Sequence, residues 1–345
     1  MAIPFKSPQP RHRFMISKEK TAITRHFTHR KVPNFEEGKL LVASWNIANL
    51  GAQGRTNGAL ALITHILKRF ELIAVQEVNE EFRTFAKIVR GMGSNYDYIM
   101  TDTAGNNERL AYIFDSTKVV PGKLFGELAL RQREFPKRTV KVRYTKNGED
   151  KVDVFPNHRF VPFDRNPYIG TFSAGTVDFM LVNTHLYFGK FQNSKTRKER
   201  EKYARRVLEI YALSKWADRR TNRKATYDRD IILMGDMNVP AMDPQESTYQ
   251  ALIEFGFQPL KYVTKIGGSN LGNDKTYDQM AFAPGTIERR IKDFGVFDFD
   301  KAIFKPLWIK LNNQLTPTKA LRKFKGHVKH HISDHRPLWI QLDIG

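Results

Sequence analysis

The sequence predicts one α/β domain over residues 39–345, preceded by a basic extension at residues 1–38. From Lys39 onward, short apolar runs rich in β-branched and aromatic residues alternate with longer runs of helical periodicity. No proline- or glycine-rich linker, internal repeat or low-complexity tract divides this stretch, so one domain of about 300 residues is the simplest interpretation. The extension is polar and proline-punctuated, and it shows no sustained periodicity.

The individual elements follow from pattern and length. Eight runs have the composition of strands, and they cover residues 40–45, 72–76, 110–114, 168–172, 177–184, 231–235, 277–282 and 338–342. Four runs have helical periodicity, and they cover residues 58–69, 80–90, 198–217 and 245–255. The longest of these carries one apolar stripe, because Tyr203, Val207 and Ile210 recur at helical spacing.

Composition excludes several classes of protein. The chain has no cysteine, so disulfides, thiolate metal ligands and cysteine nucleophiles are excluded. Its apolar runs are too short to cross a bilayer, and no apolar stretch follows the N-terminal basic residues to form a secretory signal. We therefore expect a cytoplasmic protein without a membrane partner. Nothing in the sequence indicates a protein partner, so a monomer is expected.

The charge indicates a polyanionic partner. Lys and Arg number 57 against 36 Asp and Glu, which gives a net charge of +21. Residues 190–224 hold thirteen Lys/Arg and four Asp/Glu, and residues 301–331 hold eight Lys/Arg and no acid. A single basic run is usually a solvated face. Two such runs near candidate catalytic motifs favour nucleic acid as the partner.

Five short segments share one design, in which an apolar strand ends and polar residues with metal or phosphate chemistry follow at once. The segments are Ser44-Trp45-Asn46-Ile47, Val75-Gln76-Glu77-Val78, Val182-Asn183-Thr184-His185-Leu186, Met234-Gly235-Asp236-Met237-Asn238 and Ser333-Asp334-His335-Arg336-Pro337. Strand ends in α/β sheets gather in one crevice, where ligands usually bind. Carboxylate and amide oxygens suit Mg²⁺, Mn²⁺ or Ca²⁺, and imidazoles suit proton transfer. Each segment alone is weak evidence, and the order and co-occurrence of all five carry the prediction.

In this order the motifs resemble the endonuclease/exonuclease/phosphatase superfamily, which has the deoxyribonuclease I-like fold. The resemblance covers residues 39–342. It implies a four-layer sandwich, in which two packed mixed β-sheets are flanked by helices. It also implies a catalytic domain that hydrolyses phosphate esters with a divalent metal ion.

The resemblance assigns roles to the residues that match the family's motifs. Glu77 matches a direct metal ligand, with Asn46 beside it in the metal and substrate site. Asp334 matches a further acidic residue of the metal and proton network. Asp236 and Asn238 match the pair that orients the attacking water and binds a phosphate oxygen.

A second group of residues matches the machinery around the scissile phosphate. His185 and His335 match the two histidines that flank this phosphate. Glu108 resembles the carboxylate that orients the first histidine, and Asp278 resembles the one paired with the second. Arg165 resembles a phosphate-contacting arginine of the nuclease branch.

Two positions depart from the family pattern. The nuclease branch often has Arg after the Gln-Glu-Val segment, where this chain has Asn79, so one minor-groove contact is in doubt. Asp278 is followed by Gln279 instead of the more usual Arg or Asn.

These observations favour a Mg²⁺-dependent phosphoric diester hydrolase, an endonuclease that cleaves DNA with little sequence preference. Mn²⁺ is an alternative cofactor, Ca²⁺ an alternative structural ion, and RNA an alternative substrate. Two other functions stay open: a phosphatase of small or lipid phosphates in the same superfamily, and a nucleic-acid-binding protein with an inactive site.

Overall fold

Two six-stranded β-sheets pack face to face in the computed structural model, which describes residues 3–189, 196–224, 227–285 and 287–345. The strands are β1 Lys39–Leu50, β2 Leu72–Asn79, β3 Tyr96–Met100, β4 Glu108–Asp115, β5 Val120–Glu127, β6 Arg138–Lys146, β7 Glu149–His158, β8 Tyr168–Ala174, β9 Val177–His185, β10 Ile231–Asp236, β11 Gln258–Pro259, β12 Asp278–Phe282, β13 Ile291–Val296 and β14 Leu338–Asp343. The helices are α1 Ile16–His29, α2 Asn57–Leu67, α3 Phe82–Met92, α4 Arg197–Thr221, α5 Ser247–Ile253, α6 Lys305–Gln314 and α7 Pro317–His331.

The two sheets repeat one arrangement of strands. The first has the order β13-β14-β1-β2-β4-β3, and the second has the order β11-β12-β10-β9-β8-β5. Each sheet has one parallel pair at its centre, β1 with β2 and β9 with β10, flanked by antiparallel strands. Strands β6 and β7 form a separate hairpin.

Period-two patterning buries both faces of the central strands. In β1, Leu40 and Val42 enter the core between the sheets, whereas Leu41 and Ala43 face the helices. This alternation places the two sheets in the middle of the molecule, because side chains of a strand point to opposite faces in turn. The sequences of the central strands are therefore nearly continuous apolar runs.

Helices cover the outer faces of both sheets. Helices α1, α2, α3, α6 and α7 pack on the first sheet, while α4, α5 and the β6–β7 hairpin pack on the second. The predicted four-layer sandwich of two mixed sheets flanked by helices is confirmed. Among the helices described, none is long and apolar enough to span a membrane.

Several elements lie outside the sequence-based prediction. Residues 16–29 form a helix within the predicted extension, and its buried side chains are Glu19, Ile23 and Phe27. Such a narrow stripe gives little periodic signal. Helices α6 and α7 occupy the basic run at 301–331, where charge obscures the apolar positions. The predicted helix at 245–255 is shorter and spans Ser247–Ile253. The domain division at residues 38 and 39 stays a prediction.

Histidines His12, His327 and His331 lie together where the N-terminal segment packs on α7. The ring centroids of His12 and His327 are 6.3 Å apart, as are those of His327 and His331. His327 is fully buried, and neither of its ring nitrogens has a hydrogen-bond partner among the described residues. Burial, together with the charges of His12, His330 and Lys323, lowers the pKa of His327 to about 4.

This cluster should make the fold sensitive to acid. An unfolded histidine takes up its proton near pH 6.5, whereas His327 in the folded chain does so near pH 4. Stability should therefore fall as the pH drops from 6.5 to 4, by on the order of 3 kcal/mol for this residue. In urea unfolding experiments between pH 6.5 and pH 4, the free energy of unfolding should fall less with decreasing pH in His327→Phe than in wild type. His158→Phe, on β7, is the control, and its free energy of unfolding should depend on pH as in wild type. Equal slopes in all three proteins would contradict the assignment.

Candidate active site

Both sheets present polar residues at one shared edge. Asn46 and Glu77 lie near the carboxyl ends of β1 and β2, while His185 and Asp236 end β9 and β10 and pair with each other in register. Glu108 and Asp278 are the first residues of β4 and β12. Because β4 and β12 run antiparallel to their neighbours, their first residues lie at the same edge. Topology therefore brings the sequence-predicted residues together.

Unusual backbone geometry directs two of these strand ends into the site. Glu77 has a φ of 61° at a position where the register of β2 against β4 shifts, as in a β-bulge. Asn238 has a φ of 55° just after β10. Gly235 passes so close to β9 that a Cβ there would collide with the Thr184 carbonyl. Bulges and left-handed residues of this kind re-aim side chains at functional sites.

Two histidine–carboxylate pairs face each other across Asp236. His185 Nδ1 lies 2.9 Å from Glu108 Oε2, and His335 Nδ1 lies 2.9 Å from Asp278 Oδ2. The Nε2 atoms of both histidines are 3.7 Å from the same oxygen, Asp236 Oδ2. Asp278 holds His335 Nδ1 in a hydrogen bond, whereas Glu108 lies close to His185 Nδ1 without hydrogen-bond geometry. In both rings the opposite nitrogen faces Asp236.

Neighbouring charges shift the pKa values of His335 and Asp236 toward their ionised forms. Burial opposes a charge on His335, but Asp278 and Asp236 outweigh it and raise the pKa of His335 well above its usual value. Burial also works to raise the pKa of Asp236, but the charges of His335 and His185 and a hydrogen bond from Asn46 lower it. These shifts favour the imidazolium form of His335 and the carboxylate form of Asp236.

Asn46 and Glu77 form a separate oxygen-rich group beside Asp236. Asn46 Nδ2 donates hydrogen bonds to Glu77 Oε1 at 2.9 Å and to Asp236 Oδ2 at 3.1 Å. Asn46 Oδ1 is buried and has no hydrogen-bond partner among the described residues. Burial lowers the pKa of Arg55 to about 10, against the opposing charges of Glu77 and Asp334. Asp334 lines the same cavity as Glu77.

A third set of potential ligands lies deeper. Asp236, Asp278 and His335 each offer one ligand atom, and these three atoms lie within 4.8 Å of one another. Since Asp278 already holds His335 Nδ1 at 2.9 Å, this set is better explained as the second histidine–carboxylate pair with Asp236. The orphaned Asn46 oxygen and Glu77 fit a hard divalent cation better, because such ions prefer amide and carboxylate oxygens.

A buried amide bridge joins the two halves of the site. Gln76 Nε2 donates to Asn183 Oδ1 at 2.6 Å, across the interface between the sheets. Asn183 Nδ2 in turn donates to the carbonyls of Val75 and Ala111. Gln76 and Asn183 stand in the second and third sequence motifs, so these motifs contain supports as well as candidate catalytic groups. Sequence reasoning missed this role, since an amide in a motif looks the same in either function.

Arg165 lies behind the first histidine. Its guanidinium donates to the carbonyls of His185 at 2.9 Å and Leu186 at 3.2 Å, and to Glu108 Oε2 at 3.3 Å. These contacts support a positioning role for Arg165, which is 6% exposed. Its predicted contact with a substrate phosphate stays a prediction.

Arg206 was missed by the sequence analysis. This α4 residue is fully buried and donates to the carbonyls of Tyr187, Gly189 and Asn238 at 3.0, 3.1 and 2.6 Å. It thereby holds the segments that follow β9 and β10. The surrounding basic run gave no signal that one of its arginines points inward.

These groups open into one cavity of about 590 Å³. Its lining includes Glu77, Glu108, Arg165, His185, Asp236, Asn238, Asp334 and His335. Asn46 and Asp278 are fully buried and contact this lining from behind. Tyr277 and the half-exposed Phe188 add an aromatic wall that the sequence analysis did not single out, with ring centroids 6.2 Å apart.

Comparison with known proteins finds similar proteins at low sequence identity. No protein-family model matches the sequence. A deoxyribonuclease from Thioalkalivibrio sp. (strain K90mix) is 22% identical over 324 residues, which cover 90% of this chain and 73% of that protein. An endonuclease/exonuclease/phosphatase family protein from Bacteroides thetaiotaomicron has a similar structure, with a TM-score of 0.52 and 16% identity over 88% of this chain and 94% of that one. A mannosyl-6-phosphatase from the same organism gives a TM-score of 0.49 at 17% identity, covering 87% of this chain and 98% of that one.

The likeness to the solved family protein establishes the fold, and the five motifs meet at one edge of that fold in the expected order. The chain therefore has the fold of an endonuclease/exonuclease/phosphatase family protein.

Proposed function

We propose that the chain is a Mg²⁺-dependent phosphoric diester hydrolase that cleaves DNA as an endonuclease. The observation that carries the proposal is the arrangement around Asp236, whose Oδ2 lies 3.7 Å from the Nε2 atoms of both His185 and His335. A carboxylate between two histidines offers a group to orient water and two groups to meet the charge of a phosphate. Hydrolysis of a phosphodiester needs both.

Asn46 and Glu77, with Asp334 nearby, are the residues that we propose to hold the cation. The support is the buried, unpartnered Asn46 Oδ1 beside the Glu77 carboxylate. A bound Mg²⁺ would supply Lewis-acid stabilisation of charge on the phosphoryl oxygens. Mn²⁺ has the same preference for oxygen ligands and is expected to substitute.

The remaining residues have roles consistent with their charges. Asp236 is ionised and has its Oδ1 held by the Asn238 backbone N–H at 3.0 Å, so it is placed to accept a proton from an attacking water. His335 is protonated and can stabilise or protonate phosphate oxygens. His185 faces the same centre from the other side. Glu108 and Asp278 orient the two rings.

DNA is the substrate that we favour. The net charge of +21 suits a polyanion, and the relative from Thioalkalivibrio is named a deoxyribonuclease. Phosphate contacts carry no sequence information, which supports cleavage with little sequence preference. RNA remains the alternative polynucleotide, and a small or lipid phosphate is the alternative substrate class.

A plasmid-nicking assay tests this proposal. Supercoiled plasmid should be converted to open circles in Mg²⁺ and should stay supercoiled in excess EDTA. A phosphomonoester such as p-nitrophenyl phosphate should be a poor substrate. Rapid hydrolysis of the monoester with intact plasmid would favour the phosphatase alternative. Binding of DNA with no hydrolysis of either substrate would favour an inactive site.

A further inference from the structure

A second groove leads away from the catalytic cavity along α7. It has a volume of about 510 Å³ and shares Tyr277, Asp334 and His335 with that cavity, so the two are continuous. The opposite wall is α7 itself. The groove thus begins at one of the two histidines that flank the proposed scissile phosphate.

The α7 wall is basic. Arg322, Lys325 and Lys329 line the groove at spacings of three and four residues, which places them on one face of the helix. The other face, with Phe324 and Val328, is buried against the first sheet. Within the part of the chain that the structure describes, no carboxylate lies in ion-pair contact with any of the three cations. Asp334 is the one carboxylate of the described residues that line this groove, and the Lys329 ammonium also lies 4.8 Å from the centre of the Phe5 ring, so the groove keeps an excess of positive charge.

The first basic run is used differently. Its residues 190–195 lie outside the described residues, and the rest forms α4. Arg197 and Arg200 pair with Asp153 on β7, at 3.5 and 2.6 Å. Arg206 is fully buried among backbone carbonyls. The run that sequence alone presents as a phosphate track is therefore largely engaged in holding α4 to the fold.

We propose that the α7 groove binds the phosphate backbone of a polynucleotide on the His335 side of the cleaved bond, through Arg322, Lys325 and Lys329. Seven residues of helix span about 10 Å, and each strand of duplex DNA carries one charge per about 3.4 Å of duplex axis, so three cations on a helix aligned with that axis would face about three phosphates. The inference rests on the proposed function and deepens it: the substrate is a strand that extends several nucleotides from the site.

The test compares two triple variants of equal charge change. One is Arg322→Gln, Lys325→Gln and Lys329→Gln in the groove. The control is Lys305→Gln, Lys310→Gln and Lys319→Gln, which changes three exposed lysines of α6 and α7 that do not line the groove. Binding of a fluorescein-labelled DNA oligonucleotide is measured by anisotropy in EDTA, at several salt concentrations.

The groove variant should bind the oligonucleotide about one to two orders of magnitude more weakly at physiological salt. The slope of log affinity against log salt concentration should show about two to three fewer counterions released on binding. The control should lose much less. With Mg²⁺, the groove variant should raise KM for the oligonucleotide and leave hydrolysis of thymidine 5′-(p-nitrophenyl phosphate), which has a single diester, unchanged.

Equal losses in the two variants, or an unchanged salt dependence in the groove variant, would overturn the α7 inference. Since binding is measured without turnover, this result is independent of catalysis. A wild-type protein that binds through α7 but cleaves no polynucleotide would refute the proposed nuclease function and leave the α7 surface standing.

Discussion

Alanine at His185 or at His335 should lower kcat by about two or more orders of magnitude, the range expected for groups that donate or accept protons. Each ring has one nitrogen 2.9 Å from a carboxylate oxygen and the other 3.7 Å from Asp236 Oδ2. Removing either ring removes an imidazole whose Nε2 faces Asp236 at the centre of the site. Neither histidine is part of an apolar cluster that supports the fold.

The supporting carboxylates should have smaller effects. Glu108→Gln and Asp278→Asn should each lower kcat less than loss of the paired histidine, because these residues orient a ring and do not touch the phosphate. His158→Ala, on β7 and far along the chain from the motifs, serves as the control. Steady-state kinetics should be measured beside thermal unfolding for every variant. Folded, fully active alanine variants at both His185 and His335 would overturn the proposed roles.

The second large effect is expected at Glu77. Glu77→Gln removes the carboxylate charge beside Asn46 and keeps an oxygen of similar shape, so activity should fall by about two or more orders of magnitude while the fold persists. Glu80→Gln, three residues further along the chain and exposed, is the matched control and should be as active as wild type.

A second readout separates cation binding from catalysis. A ligand that binds only the folded chain stabilises it by RT ln(1 + [L]/Kd), so the melting temperature rises with ligand concentration. Wild type and Glu80→Gln should therefore be stabilised by added Mg²⁺, and Glu77→Gln should not. Undiminished cleavage in excess EDTA, together with a fully active Glu77→Gln, would contradict the proposed metal dependence.

Sequence alone predicted the parts of the fold that have strong patterns. All eight predicted strands are present, because each is a short apolar run that ends in a distinctive polar motif. Helix α7 was missed, since its basic residues hide a narrow buried stripe of Ala320, Phe324 and Val328. Strands β6 and β7 were missed because they alternate charged and apolar residues at an exposed hairpin.

The site was predictable in membership more than in arrangement. Motif order indicated that His185 and His335 act together, but the distances to Asp236 come from how two sheets pack. Arg206 shows the limit most clearly: it lies in a run of thirteen basic residues, and only tertiary structure reveals that it is buried. Local sequence does not encode which member of such a run turns inward.

The amide bridge between Gln76 and Asn183 has a consequence for precision. Two sheets that meet only through apolar side chains can slide by fractions of an ångström at little cost, since dispersion contacts are individually weak and non-directional. A buried hydrogen bond is directional, and leaving its groups unsatisfied is costly. Together with the Asn46–Asp236 and Tyr112–Leu181 hydrogen bonds, which also join the sheets, the bridge therefore restricts the registry of one sheet on the other. Glu77 and His185 are restricted with it, because each lies within two residues of a bridging amide.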